Sequence, residues 1–445
     1  MSTHRESKNS LRLARSSGRN SGKSGRYTDN PLSSLTAALR NLIFWVNPPA
    51  EDWAIDARLL RWLTFLWMFM GLAVLFSASY PSGDAEFGDG WYYFKRQLIW
   101  ISLGLVGFSF LVRSQLRYIL GIAHWVLIVL LGLIFVTLIP GVGTTVNGAT
   151  RWISLGPVPL QPSELIKPFL VLQSARIFGQ WQQISIRVRF LWLGIFALVL
   201  MGILLQPNLS TTALCGMTLW LIAVAGGLPF SQLGATALGG FMLALLSISI
   251  KEYQRRRVMS FLNPWADSQG DGYQLVQSLL AIGSGGTWGS GFGLSQQKLF
   301  YLPIQYTDFI FAVFAEEFGF VGSIVILIVL MTYATLGTIV ALRARNSVHR
   351  LVAMGAMILI VGQSLLNIGV ATGALPTTGL PFPFFSYGGS SIIANLFAAG
   401  LLIRVARESR EAEVVPILPK PRQSEERRRR KRQKTQLRKG WGMKN

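Results

Sequence analysis

Residues 301–337 read YLPIQYTDFIFAVFAEEFGFVGSIVILIVLMTYATLG. Beyond Asp308 the run stays largely apolar for longer than the ~20 residues that carry a helix across a bilayer, yet three carboxylates, Asp308, Glu316 and Glu317, stand at its head. An unpaired charge in such a helix is costly, so each acid needs a partner or a task. Thr307 reads as an N-cap, which puts Asp308 in the first helical turn, at the mouth, where the macrodipole favours an anion. An acid so placed can be structural or can act as a base. Glu316 and Glu317 lie two turns deeper, about 12 Å along an unbroken helix, and read as structural acids paired with a cation or with backbone N–H groups.

The rest of the 445-residue chain is of the same kind, 51% hydrophobic and only 14% charged. Apolar windows fall at 62–79, 97–112, 118–139, 163–179, 189–205, 209–227, 231–250, 307–342, 348–372 and 388–405, the fourth and sixth being the weakest. That pattern predicts an all-α polytopic integral membrane protein, a bundle of about ten transmembrane helices with long outer loops. An even number of crossings puts both termini on one side. The formal net charge is +22, and the basic ends, up to Arg61 and from Arg404, contribute 15 of it. A basic arm (1–58) and a basic tail (408–445) therefore flank a membrane domain (59–407) and are expected in the cytoplasm, the arm largely disordered, both drawn to anionic membrane lipids. The tail's RRRRKRQK (427–434) has no interleaved aromatics, which argues against nucleic acid as a partner. The single cysteine, Cys215, excludes an intrachain disulfide. His124, alone in the third span, reads as a hydrogen-bonded packing residue.

By this count 141–162, 251–305 and 373–387 are outer loops. The last, GALPTTGLPFPFFSY, is too rich in Pro and Gly for a regular helix and must line a cavity or be buried in protein. In QPSELIK (161–167), Glu164 and Lys167 share a helix face. They make either a local ion pair or, with Arg151, a cationic lip suited to a phosphorylated headgroup, and spacing leaves both open. The chain has no Walker A loop, nucleophile elbow, HExxH or Cys/His cluster, so no nucleotide site, protein-held metal or soluble catalytic domain is expected. The residues support a membrane enzyme or a transporter.

Three motifs then carry a resemblance: NGATRWISLGPVPLQPSELIK (147–167), GDGYQLVQSLLAIGSGGTWGSGFGLSQQKLFYLP (270–303) running on to TDFIFAVFAEEFGFVG (307–322), and NIGVATGALPTTGLPFPFFSYGGSS (367–391). In this order, within 62–407, they closely resemble the SEDS family of cell-wall polymerases, and SQQKLFYLP and the basic ends are more similar to its division-type members than to its elongation-type ones. The resemblance implies a peptidoglycan glycosyltransferase that polymerises lipid II into glycan strands on the outer face of the bacterial cytoplasmic (inner) membrane, at the division septum. The acceptor's 4-hydroxyl would attack the anomeric carbon of the pyrophosphate-linked donor with inversion, Asp308 acting as general base. Arg151 and Lys167 would contact the pyrophosphate or headgroup, Glu164 would orient Lys167, and Gln161 and Ser386 would line the substrate site. The implied partners are a class B penicillin-binding protein transpeptidase and other division proteins. A divalent cation, Mg or Mn, would suit the pyrophosphate, although no ligand cluster marks one. One departure stands out: where the family commonly reads PExHTDFIF, this chain has Ile304, Gln305 and Tyr306 before Thr307 and Asp308. The alternatives are a lipid II flippase, which needs a polar path through the bundle, and a non-catalytic division scaffold.

Overall fold

The structure, a computed structural model, describes residues 53–146, 149–155 and 158–411. The chain divides into two units, 1–48 and 49–445, and every described residue belongs to the second. The expectations for the basic arm before Trp53 and for the tail beyond Glu411 lie outside the described residues.

Each of the ten apolar windows is a helix. They are α1 (Ile55–Phe87), α2 (Tyr92–Arg113), α3 (Leu116–Val136), α4 (Pro162–Gly179), α5 (Ile186–Leu205), α6 (Leu209–Ala225) and α7 (Phe230–Ile250), then, after the short α8 (Glu252–Leu262) and α9 (Tyr273–Ser284), α10 (Ile310–Arg343), α11 (Ser347–Ala371) and α12 (Gly389–Glu411). Eight of them are long and apolar enough to cross a membrane, and the protein is an integral membrane bundle. The exceptions are the two weakest windows. α6, at 17 residues, is slightly too short, and α4 carries Glu164, Lys167 and Arg176. α4 tolerates Glu164 and Lys167 because it packs on α3, α6, α11 and α12 and meets little lipid, while Arg176 is exposed in its last turn. α12 is the central post, packed against α1, α2, α4, α10 and α11, whereas α5 and α7 at the periphery present Phe190, Leu191, Phe241 and Leu243 outward. His124 packs on Trp125 at 5.0 Å, but its Nδ1 has no partner among the described residues, so the expected hydrogen bond is not made.

Both ends of the domain meet at one end of the bundle. The guanidiniums of Arg61 and Arg407 sit over Trp53 at 4.7 and 4.6 Å, Arg343 pairs with Asp56, and Glu408 accepts from Arg404 (2.7 Å) and the Leu116 N–H (2.8 Å). The opposite end carries α8, α9, the irregular loops and a feature absent from the all-α expectation. Within 141–162, strands β1 (Gly143–Val146), β2 (Ala149–Leu155) and β3 (Val158–Leu160) form a small antiparallel sheet in that order.

Two departures from regular helix shape this end. The loop 373–387 dives into the bundle, where Leu380, Phe382, Phe384 and Phe385 are buried and the Phe382 and Phe384 rings pack edge-on to Trp67. At Gly71, halfway along α1, a Cβ would lie 2.2 Å from the Phe384 carbonyl oxygen, so the loop reaches the middle of that helix. The expected unbroken α10 is also corrected: it breaks at Gly319, whose φ of 67° and ψ of −163° are open essentially to glycine alone. The residues around the break exchange hydrogen bonds with the Gly-rich run after α9. The N–H groups of Phe320 and Val321 donate to the carbonyls of Gly286 and Thr287, and those of Ser290 and Gly291 donate to the carbonyls of Glu316 and Glu317. The backbone groups freed by the break are thus satisfied within protein, as a bilayer demands. A Cβ at position 319 would lie 2.3 Å from the Gly289 nitrogen. Gly319→Ala is therefore expected to lower the melting temperature in detergent, through backbone strain of order 1–3 kcal/mol plus the clash; an unchanged melt would refute the role given to this break.

Candidate functional site

The re-entrant loop and the segment before α10 bring Asp308 to the mouth of the bundle. Asp308 precedes the helix, which starts at Ile310 with Phe309 as its N-cap, and the Thr307 hydroxyl donates to the Ile304 carbonyl. The expected Thr307 cap and first-turn position for Asp308 are not what forms. Its main chain is clamped instead: Asn367 Nδ2 donates both to the Asp308 carbonyl (2.7 Å) and to that of Leu380 (2.8 Å). The carboxylate lies against Gly379, where a Cβ would stand 3.3 Å from Oδ2. Half-buried there, Asp308 is pushed above the ordinary carboxylate range by desolvation, while the nearby Arg257 and then Arg151 pull it back and Glu164 adds to the rise. The acid is more enclosed than the anion-favouring mouth position of the sequence reading, because the re-entrant loop packs against it at Gly379.

Arg151 projects from β2, and its Nε and Nη2 donate to the carbonyls of Gln206 (3.1 Å) and Pro207 (2.5 Å), in the short turn between α5 and α6. Burial lowers its pKa, and Tyr253, Arg257 and Asp308 are the charges and rings that act on it. Arg257, from α8, lies 4.5 Å over the Tyr253 ring and donates to the Thr377 carbonyl at 3.2 Å. Two guanidiniums, one from β2 and one from α8, thus act electrostatically on the Asp308 carboxylate. Sequence reasoning missed Arg257. The signal was present in the consecutive Arg255, Arg256 and Arg257, a basic cluster on a side where the positive-inside rule expects few.

Lys167 does not join Arg151 in a lip. It is buried inside the bundle, its Nζ donating to Glu164 Oε2 and to Gln363 Oε1, both at 2.8 Å. Gln363 also donates to the Pro381 carbonyl at 2.7 Å, which ties the pair to the re-entrant loop. The π-helical turn Ile358–Gly362 immediately precedes Gln363 in α11. Ser386 is engaged as well: its hydroxyl donates to the Thr307 carbonyl (2.5 Å) and accepts from the Phe382 N–H (2.7 Å), so it pins the loop to the segment bearing Asp308. Gln161, before α4, donates through its N–H to Ser390 Oγ at 2.9 Å. The Ser386 hydroxyl is thus committed to the architecture, whereas the half-buried Gln161 amide donates only a long 3.4 Å bond to Ser163 Oγ.

Glu316 and Glu317 have the partners a structural acid needs. Glu316 accepts from the N–H groups of Gln296 (2.9 Å) and Gln297 (3.3 Å) and from Ser295 Oγ (2.5 Å). Glu317 accepts from Lys298 Nζ at 2.8 Å and from Ser77 Oγ at 2.5 Å. Among the residues that depart from the family motif, Gln305 is buried and donates to Ala78, Ser82 and Lys298, whereas Tyr306 donates its hydroxyl to Tyr93 at 3.0 Å. Among the described residues no group of three or more His, Cys, Asp or Glu could hold a metal. Asp308, whose charged neighbours are Arg257, Arg151 and Glu164, belongs to no such group, so the described residues offer a divalent cation no set of protein ligands there.

Residues 57–411 match the cell cycle protein family of FtsW, RodA and SpoVE. A probable peptidoglycan glycosyltransferase FtsW of Synechocystis is 60% identical over 385 residues, covering 86% of this chain and 98% of that protein. The stage V sporulation protein E of Bacillus subtilis is 38% identical over 354 residues, 78% of this chain and 96% of its own. A chain from a solved structure described as structural coordination of polymerization and crosslinking by a peptidoglycan synthase complex aligns with a TM-score of 0.65 at 29% identity, over 81% of this chain and 99% of that one. The rod shape determining protein RodA of Thermus thermophilus aligns with a TM-score of 0.59 at 29% identity, over 81% and 98%. The fold, the order of its motifs and these matches agree, and the chain belongs to the FtsW, RodA and SpoVE family of cell cycle proteins.

Proposed function

We propose that the protein is a peptidoglycan glycosyltransferase that polymerises lipid II into glycan strands on the outer face of the bacterial cytoplasmic membrane during division. The observation that carries this reading is a half-buried carboxylate, Asp308, in the electrostatic reach of the Arg257 and Arg151 guanidiniums, at the end of the bundle opposite the one where Trp53, Arg61 and Arg407 meet. Glycosyl transfer from a pyrophosphate-linked donor needs one base for the attacking hydroxyl, and positive charge where the pyrophosphate leaves. Asp308 takes the proton of the acceptor 4-hydroxyl as that oxygen bonds to the anomeric carbon. Arg151 and Arg257 meet the charge on the departing pyrophosphate, which then needs no proton. Glu164 and Lys167 act at one remove, holding Gln363 and through it the re-entrant loop. Both termini lie in the cytoplasm in this reading, the site works at the septum, and a crosslinking transpeptidase partner takes up the strand. The flippase alternative has less support, since among the described residues the buried Lys167 and Lys298 are both already paired with acids. The scaffold alternative requires division to continue without Asp308.

The test is strand formation from lipid II by the purified protein, with and without a class B penicillin-binding protein; no strand under either condition would sink the reading. Arg151→Ala and Arg257→Ala are each expected to lower the rate roughly 10²-fold, the scale of one lost transition-state donor, with melting little changed. Lys at position 151 should restore only part of it, having lost the planar fork. Lys167→Ala should instead chiefly lower the melting temperature, because it strands the buried Glu164. Wild-type rates in both arginine variants would remove the pyrophosphate assignment.

A further inference from the structure

The departure at Tyr306 completes a cluster that the chemistry above does not use. Five rings touch in sequence at the mouth: Phe87 stacks on Tyr92 (3.7 Å between centroids), Tyr92 meets Tyr93 edge-on (5.4 Å), and Tyr93 contacts both Tyr306 (4.5 Å) and Tyr387 (5.0 Å). They come from four places in the chain: the end of α1, the start of α2, the segment bearing Asp308 and the end of the re-entrant loop. Hydrogen bonds join them. Tyr306 donates to Tyr93, Tyr93 donates to Glu86 Oε2 at 2.5 Å, the Tyr387 N–H donates to the Tyr306 carbonyl at 2.9 Å, and the Tyr387 hydroxyl is hydrogen-bonded with Arg96. Only Tyr93 is buried; Phe87 is exposed and Tyr92, Tyr306 and Tyr387 are half-buried.

From this arrangement we infer that the cluster is a carbohydrate subsite, which holds the N-acetylated sugars of the glycan strand beside Asp308. A pyranose ring offers a flat face of C–H groups and an equatorial rim of hydroxyls, and the surface that suits it has aromatic faces edged by charged or amide hydrogen-bonding groups. The rings supply the faces, and Glu86 and Arg96, the latter with its guanidinium 5.1 Å over the Tyr92 ring, supply the charged groups beside them. Tyr306 is two residues from Asp308, and its carbonyl is bonded to the loop that packs over that acid, so a sugar on the cluster is next to the base. An interfacial aromatic belt also gathers Tyr and Trp at this depth, but a belt residue only needs lipid headgroups beside it. Here Tyr93, Tyr306 and Tyr387 are hydrogen-bonded to one another and to the segment carrying the candidate base, and Phe87 and Tyr92 pack onto them.

The inference rests on the polymerase reading for its ligand, and one arm of its test does not need turnover. Full-length protein in detergent is titrated with a β-1,4-linked N-acetylglucosamine tetramer, followed by saturation-transfer NMR, and the lengths of strands made from lipid II are measured in parallel. Tyr306→Ala and Tyr92→Ala are expected to weaken tetramer binding about five- to tenfold, the scale of one lost stacking contact, and to shorten the strands. Tyr306→Phe, which keeps the ring, should bind as wild type, and so should Asp308→Asn. Wild-type binding and strand length in a folded Tyr306→Ala would overturn the subsite. If that variant does not fold, Tyr92→Ala, outside the hydroxyl chain, decides alone. Should wild type bind the tetramer through Tyr306 yet make no strand, the polymerase reading falls and the subsite stands; should it make strands without binding the tetramer, the reverse holds.

Discussion

Asp308→Asn is expected to abolish strand formation while leaving the protein folded, inserted and able to bind its lipid substrate. The amide has nearly the shape of the carboxylate, and the clamp from Asn367 grips the backbone carbonyl, which the substitution leaves in place. What is lost is the ability to take up a proton, and a general base contributes roughly 10²–10⁴ in rate. The same residue sets a pH dependence. A base works only when deprotonated, so the rate should fall as pH drops through the Asp308 pKa, which desolvation places above the usual carboxylate range. Arg257 opposes that rise, so Arg257→Ala should move the acid limb to higher pH as well as lowering the plateau. Rates across pH for wild type, Arg257→Ala and Asp308→Asn check all of this. Substantial turnover in Asp308→Asn would shift weight to the flippase or scaffold readings, and an acid limb unmoved by Arg257→Ala would detach that arginine from the base.

The spans could be read in the sequence because a bilayer imposes one local requirement, a long apolar run, and nothing tertiary has to be known to see it. α4 and α6 were the weakest windows for the reason they stand apart in the structure: a short or charge-bearing helix is tolerated only where other helices shield it, and shielding is a property of the fold. The pairing of Glu316 and Glu317 was legible as a need, since buried acids demand partners. The identity of those partners was not, because Ser77 lies 240 residues away and the N–H groups of Gln296 and Gln297 become available only through a turn. Gly319 looked like one more small residue in an apolar run. Its φ and its contact with Gly289 belong to the packing of two segments, not to either sequence. Spacing put Glu164 and Lys167 on one face without saying which way the face turned, so the lip was assigned a lysine that is in fact inside. Arg257 comes within the electrostatic reach of Arg151 through the fold of residues 251–305, where three adjacent arginines were the overlooked clue.

Lys298→Met is expected to be the most destabilising of the substitutions considered, lowering stability by about 3–5 kcal/mol, the usual cost of stranding a buried charge. Lys298 and Glu317 are 5% and 1% exposed, and the ammonium is shared between Glu317 and Ser77. Without it Glu317 keeps only the Ser77 hydroxyl, and its Oε2 already has no partner among the described residues. Neutralising the acid should therefore recover most of the loss. The double variant Lys298→Met/Glu317→Gln is expected to melt close to wild type, whereas simple additivity would make it worse than either single change. The damage should also reach the chemistry by a different route from Asp308→Asn. Gln305 holds the Lys298 carbonyl together with α1, through Ala78 and Ser82, and so fixes the chain that enters the Asp308 segment. Loosening that anchor should lower strand formation in proportion to lost melting temperature, and both should return together in the double variant. Detergent melting and strand assays on the single and double variants separate the two routes: an inactive but fully stable Lys298→Met would mean that the lysine acts on substrate, and a double variant no better than the single would mean that the pair was not what held Glu317 in place.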